Sequence, residues 1–385
     1  MHEAVAILLL AAVTNGSVSI QYGALRVTLD VWLLLISGSG LGRNTLTGLA
    51  YTILSQSGQG TLLRRTTWGS GRAFYEDLAN NPRGLLVWPE MSQILKTLSQ
   101  SQFNGAKEWL TDRFDNSHPP DDVRYRTGGS RPNTPPIVFT AAPRTNILAT
   151  SSLDWFVSSL AREDTTGGFV PRWLIVHVPD TGKVIPKPAE PNGRLVNPLA
   201  EHLRKAGQLH GIADLSRVED LYDNWYRAAQ SRFAAQPNNT LALPFFNRLR
   251  SLVLKLAVLN EISATCKICV SPSAMNRALS QAASIEQTIF QLLPTGMTAD
   301  GFAVDRMEQV VRNAGVAGIT QSELTRAFQH IRYSERIDRL KTLVQSGRAS
   351  QFQRPSGGGR PSSIFVHSDF AAQHQKDFPT DIATP

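Results

Sequence analysis

Apolar positions along the chain change their period twice. Short runs rich in Val, Ile and Leu occur at Leu25 to Val27, Val31 to Ile36, Leu85 to Trp88, Ile137 to Ala141 and Trp173 to Val178, with helix-length segments between most of them. Strands alternating with helices predict an α/β layer with a largely parallel sheet. The apolar start, Ala4 to Val13, reads as a buried helix: it is too short to cross a bilayer, and His2 and Glu3 stand where a basic leader would be. From Leu199 to Leu293 the period becomes helical. In Phe245 to Ile262, Leu249, Leu252, Val253, Leu256 and Leu259 share one face, leaving Arg248, Arg250 and Lys255 for the rest of the surface.

Pro294-Thr295-Gly296 opens the last change of pattern. Thr320 is placed to cap a helix with Glu323 at the capping-box position, and Leu324, Ala327, Phe328 and Ile331 form its apolar stripe. A second helix is expected from Glu335 to Ser346, stopped by Gly347, and then two strands, Ala349 to Gln353 and Ser363 to His367. That is the order of a winged helix-turn-helix. The stretch from Pro179 to Asn197, with Pro186, Pro188 and Pro191 inside it, breaks the strand–helix alternation. The expected organisation is therefore a P-loop NTPase-like α/β domain over 1–185, an α-helical lid or bundle over 186–293, a winged helix over 294–370 and a flexible tail over 371–385.

Composition narrows the partners. With 42% hydrophobic and 18% charged residues the chain folds rather than remaining disordered. Its net charge of +8 suits a polyanion such as DNA. From Thr320 to His367 there are eight Lys or Arg and three acids. Arg336, Arg339, Lys341, Arg354 and Arg360 are the expected DNA contacts, from the second helix and the wing; a protein-binding winged helix fits the same order. The two cysteines, Cys266 and Cys269, cannot staple the chain and lack a second pair for zinc, so a cytoplasmic location without membrane attachment is expected.

The candidate chemistry begins after Val31 to Ile36, where Ser37-Gly38-Ser39-Gly40-Leu41-Gly42-Arg43-Asn44-Thr45 leads into a helix-compatible run. A strand, a glycine-rich turn and a helix N-terminus are the parts that wrap phosphates with backbone N–H groups. Aligned on Gly42, Arg43 stands in place of the P-loop lysine. Asn44, through its carbonyl oxygen, or Thr45, one place on, would serve Mg²⁺. Leu85 to Trp88 ends in Pro89-Glu90, and Glu90 is the candidate general base and second Mg²⁺ contact, or else the cap of the helix that follows. Thr140 would sense a γ-phosphate, and Arg172, before the last strand, would act as arginine finger or sensor, or lie on the surface. Arg124, Arg126 and Arg131 would line a pore loop or a solvated insertion.

Taken in order, SGSGLGRNT, LLVWPEMSQILKTL, IVFTAAPRTN, GGFVPRWLIV and FFNRLRSLVLKLAVLNEI resemble the YfjI-like ATPases of mobile genetic elements. The resemblance spans about residues 1 to 290. It implies an AAA+-type or superfamily-3-like replicative helicase that forms a homo-oligomeric ring, a hexamer among the arrangements, with ATP and Mg²⁺ between subunits. It places Gly42, Arg43 and Asn44 on the nucleotide loop, where Gly38 and Gly40 would add backbone N–H groups, Glu90 on the Walker B acid and Arg172 on the arginine acting in trans. No primase motif is present, so a separate primase is an expected partner. The family's Lys, Ser/Thr and Asp are replaced at 43, 44 and 89. Two further functions therefore stay open, a non-hydrolysing assembly subunit and a winged-helix regulator.

Overall fold

The computed structural model describes the chain except residues 15, 39–41, 66, 104, 116–120, 124–135, 161, 179–191, 237–238, 293–298, 330, 356–360 and 384–385. The elements before the Gly-rich loop are α1 (His2–Thr14), β1 (Val18–Tyr22), β2 (Leu25–Thr28) and β3 (Trp32–Ser37). After it come α2 (Arg43–Gln56), β4 (Leu63–Arg64), α3 (Gly71–Asn80), β5 (Arg83–Trp88), α4 (Met91–Leu98), α5 (Ala106–Asp115), β6 (Asp121–Val123), β7 (Ile137–Phe139), β8 (Arg144–Ser151), α6 (Leu153–Ser158), α7 (Arg162–Thr166) and β9 (Trp173–Val178). A helical stretch follows: α8 (Gly193–Ala206), the short β10 (Gly211–Ala213), α9 (Glu219–Ala234), α10 (Asn239–Thr265) and α11 (Pro272–Leu292). The remainder is α12 (Ala299–Asn313), β11 (Ile319–Thr320), α13 (Gln321–Ala327), α14 (Tyr333–Gln345), β12 (Ala349–Arg354), β13 (Ser362–His367), α15 (Ser368–Asp377) and β14 (Ile382–Ala383).

The chain divides into two compact units, Met1–Leu293 and Pro294–Pro385. The first is α/β around a five-stranded sheet in the order β4-β5-β8-β3-β9, parallel throughout. β3 lies inside this sheet and every residue from Trp32 to Ser37 is buried, which is why its sequence is a continuous apolar run rather than an alternating one. Two strands expected in the sheet lie elsewhere. Leu25–Thr28 forms a hairpin with β1, and Ile137–Phe139 pairs with β6. The place given to Ile137 to Ala141 is held by β8, whose mixed polar sequence conceals a strand buried from Thr145 to Ser151.

The helical stretch is not a separate lid, correcting the boundary drawn near residue 185. β10 pairs in parallel with β1, α1 packs against α8 and α10, and α11 packs on β9. Lys255 of α10, expected on the polar surface, is 2% exposed: its Nζ donates to the Asp30 carbonyl at 2.7 Å and lies 4.1 Å from the centre of the Phe114 ring. α10 is buried on all sides from Val253 to Ile262, so a charged residue there must carry its partner inside with it.

In the second unit α12, α13 and α14 pack around Met307, Val311, Leu324, Phe328, Leu340 and Leu343, beside an antiparallel sheet in the order β11-β13-β12-β14. Thr320 and Glu323 form the expected capping box, and the Thr320 N–H holds the Glu323 carboxyl below the usual carboxylate range. Residues 371–385, expected as a flexible tail, instead supply the body of α15 and the strand β14. The reason is a buried polar anchor, His374 with Asp381, which composition could not distinguish from a polar tail. Among the described residues no helix is long and apolar enough to cross a membrane.

Candidate functional site

Parallel pairing brings the C-terminal ends of β5, β8 and β3 to one edge. Trp88 is level with Ala149, and Ser151 with Ile36, so Glu90 and Ser151 stand level with Ile36 near the end of β3, and Gly38 follows two residues beyond it. β8 separates the other two strands, and at about 4.8 Å per strand this puts Glu90 about 10 Å from the loop laterally.

Gly42 leaves the loop at φ 78 and ψ 17, the left-handed region that favours glycine, and its carbonyl accepts the Leu46 N–H of α2 at 3.0 Å. Among the described residues no side chain caps this end of α2, so its first amides point outward with the positive end of the helix dipole. Arg43 opens the helix. Its Nη1 is buried and has no hydrogen-bond partner among the described residues, an arrangement that costs free energy unless an anion completes it. Asn44 and Thr45 are exposed on the first turn and Gly38 is half-buried, while Gly40 lies outside the described residues.

Glu90 is the N-cap of α4. Its Oε1 accepts from Ser92 N at 3.3 Å, Ser92 Oγ at 3.0 Å and Ser151 Oγ at 2.5 Å. The capping alternative is thus the observed arrangement for Oε1, and Oε2 has no partner among the described residues. Beside it, Thr150 Oγ1 donates to the Pro89 carbonyl at 2.6 Å. Thr150 and Ser151 were missed in the sequence because β8 was not recognised as a strand. The signal was present, as Ile147-Leu148-Ala149 followed by three hydroxyl residues.

Thr140 does not reach this edge through the sheet: it is an exposed residue after β7, in the hairpin with β6. Ser151 holds the position expected of it. Arg172 is also corrected. It precedes Trp173, which is level with Trp32 at the start of β3, and so belongs to the opposite edge, about 20 Å away along six residues of strand. It is 7% exposed and donates through Nη1 to the Gly168 carbonyl, a buried fixture rather than a side chain offered to a neighbour.

The basic set of the second unit is divided. Arg336 Nη1 donates to the Phe328 and Ile331 carbonyls at 2.9 and 2.7 Å, closing the turn between α13 and α14. Arg339 pairs with Glu335 at 3.9 Å, and Arg354 is bound by Asp381. Lys341 is exposed, as are Arg326, Arg332 and Tyr333, while Arg360 lies outside the described residues, as do Arg124, Arg126 and Arg131. Over 294–385 there are eleven Lys or Arg and nine Asp or Glu. The unit is therefore close to neutral, because Asp305, Glu308 and Asp381, beyond the ends of the basic window, pair with Arg348 and Arg354.

Cys266 Sγ lies 3.5 Å from His202 Nδ1, and Cys269 Sγ donates to Asp214 at 3.3 Å. Burial pushes the Cys266 thiol up, and the hydrogen bond to Asp214 does the same for Cys269, so both stay protonated at neutral pH. No protein-family model matches the chain, and no curated protein matches it. The five-stranded parallel sheet with its flanking helices is consistent with a P-loop-like α/β fold.

Proposed function

We propose that this chain binds a nucleoside triphosphate at the C-terminal edge of the five-stranded sheet and couples its hydrolysis to an action on DNA, as a motor of the replicative-helicase type carried by mobile elements. The observation that carries the reading is Arg43: a guanidinium nitrogen buried without a partner among the described residues, at the N-terminus of a 14-residue helix that follows the interior strand β3 and its glycine-rich loop. A phosphate oxygen completes both groups at once. Arg43 then holds the β- and γ-phosphates in the lysine's place, with Gly42 and Gly38 bringing backbone amides close. Magnesium is bound chiefly through phosphate oxygens and waters, with one or two protein oxygens. Glu90, with the Asn44 carbonyl or the Thr45 hydroxyl, is that kind of donor set, and the ion would neutralise charge on the triphosphate. Ser151 and Ser92 orient Glu90 through Oε1, leaving Oε2 to accept a proton from the attacking water.

The second unit supports the DNA half of the reading. We read its order of α12, β11, α13, α14, β12 and β13 as a winged helix, and the start of α14 exposes Arg332 and Tyr333, with Lys341 further along. DNA contact moves to these residues, since Arg336 and Arg354 are engaged internally. Assembly into a ring and recruitment of a separate primase follow from the family resemblance and belong to the same proposal.

One observation favours a second reading, a nucleotide-binding assembly subunit that does not hydrolyse: Oε1 of Glu90 is already committed to capping α4. Phosphate release with and without duplex DNA, measured on the wild type, Glu90→Gln and Arg43→Ala, separates the two. The motor reading expects DNA-stimulated turnover that Glu90→Gln abolishes. It also expects Arg43→Ala to weaken binding of an ATP analogue tenfold to a hundredfold, the equivalent of about 1.5–3 kcal/mol for a charge-assisted hydrogen bond. Analogue binding without turnover leaves the assembly subunit, and no binding of the analogue at all sinks both.

A further inference from the structure

Arg354 is the basic residue on which the sequence and the structure differ most. On β12, before the wing, it is placed to meet a phosphate, yet its guanidinium is filled from within the unit. Its Nε lies 3.1 Å from both carboxylate oxygens of Asp381 and its Nη2 2.8 Å from Oδ2. The same guanidinium sits 5.0 Å from the centre of the Phe378 ring. Asp381 is 1% exposed. His374 steadies it from α15, with Nε2 3.1 Å from Asp381 Oδ2 and Nδ1 2.6 Å from the Val316 carbonyl oxygen.

The strand that brings Asp381 there is slight. β14 pairs with β12 over two residues, Phe352 with Ala383 and Gln353 with Ile382, and Ile382 is 66% exposed. A well-made internal anion is thus carried on an edge strand of minimal length, against the one basic side chain of β12. A carboxylate held by the fork of an arginine occupies the same donors that would take a phosphate.

We propose that residues 378–383 are an internal strap: Asp381 occupies the phosphate position of Arg354, and lifting the short strand β14 hands that position to a DNA backbone phosphate. The inference rests on the DNA-binding reading above. With the strap down the unit binds duplex through Arg332, Lys341 and their neighbours, and with it lifted the unit gains one further phosphate contact.

The test is duplex binding by fluorescence anisotropy across a salt series, on the full chain and on a chain ending at Asp377. Each phosphate contact adds about 0.9 to the slope of log affinity against log salt. The shortened chain is expected to bind more tightly at low salt with a slope steeper by about that amount. Adding Arg354→Gln should remove the increment, while the same substitution in the full chain leaves the slope unchanged. Because shortening uncovers His374, Asp381→Asn in the full chain is measured alongside, with circular dichroism to show that each variant is folded, and the same steepening is expected. A slope equal to or shallower than that of the full chain, in whichever of the two variants is folded, overturns the strap while leaving DNA binding intact. Absence of salt-dependent duplex binding by the full chain removes the DNA reading itself, and the strap with it.

Discussion

At the N-terminal end of the five-stranded sheet charged side chains meet one another, although Asp30 Oδ1 and Asn146 Nδ2 are buried without a hydrogen-bond partner among the described residues. Arg144 lies 3.6 Å from Asp30 and donates to Thr28 at 2.7 Å, Thr28 donates to Asp30 at 2.7 Å, and Lys255 reaches the Asp30 carbonyl. Asn146, fully buried, accepts the Val31 N–H at 2.8 Å. At the C-terminal end, among the described residues, Arg43 has a buried nitrogen with no partner and Glu90 is held by one oxygen only. Both ends are equally rich in charge, so charge alone does not mark a site. The first end joins β3, β8 and α10 and so holds the unit together. The second sets an unsatisfied guanidinium nitrogen at a helix N-terminus without a side-chain cap among the described residues, and that combination is what an anionic ligand can use.

The contrast can be broken most forcefully at the closed end. Asp30→Ala removes the carboxylate that pairs with Arg144, while buried Lys255 keeps its backbone carbonyl acceptor, and loss of one partner from a buried ion pair costs about 3–5 kcal/mol. The midpoint of urea unfolding should fall accordingly, and an unchanged midpoint would mean that this edge does not hold the unit.

Gly168→Ala tests the same edge from Arg172. Gly168 sits at φ +80, and a Cβ there would stand 2.6 Å from Arg172 Nη1. The strained backbone and the displaced guanidinium together should cost about 1–3 kcal/mol, seen as a lowered melting temperature. Nucleotide affinity, which belongs to the other edge, should not move.

At the open end smaller changes in stability should accompany larger changes in function. Ser151→Ala removes the bond that orients Glu90, at about 0.5–1.5 kcal/mol, and should lower turnover more than it lowers the affinity for an ATP analogue. Arg43→Ala sharpens the contrast furthest. It deletes a charge that has no partner at Nη1 among the described residues, so the melting temperature should shift by the equivalent of about 0.5 kcal/mol or less, while analogue binding weakens tenfold to a hundredfold. A large destabilisation would mean that Arg43 is structural after all.

The second unit repeats the lesson with opposite sign. Residue type and position make Arg336 and Arg354 outward contacts, yet the Phe328 carbonyl and Asp381 claim them. The partner of Arg354 lies 27 residues on, in a segment whose polar composition resembles a tail. Lys255 went unrecognised as a core residue for the same reason, because its partner Asp30 is 225 residues away. β8 was hidden more locally: buried strands are recognised by apolar runs, and Arg144-Thr145-Asn146 with Thr150-Ser151 spends its polar atoms on neighbouring strands and loops.

What the sequence determined by itself is whatever depends on neighbours a few residues apart. The apolar run of β3, its glycine-rich exit, the strand ending at Pro89-Glu90 and the Thr320–Glu323 capping box were all legible, because period, turn chemistry and capping are properties of short windows. Only the tertiary structure decided which charges are spent and which are left available. It joined β8, the Lys255 helix and the C-terminal segment to partners far along the chain. Whether an arginine holds the fold together or waits for a phosphate depends on those long-range pairings, and no short window contains them.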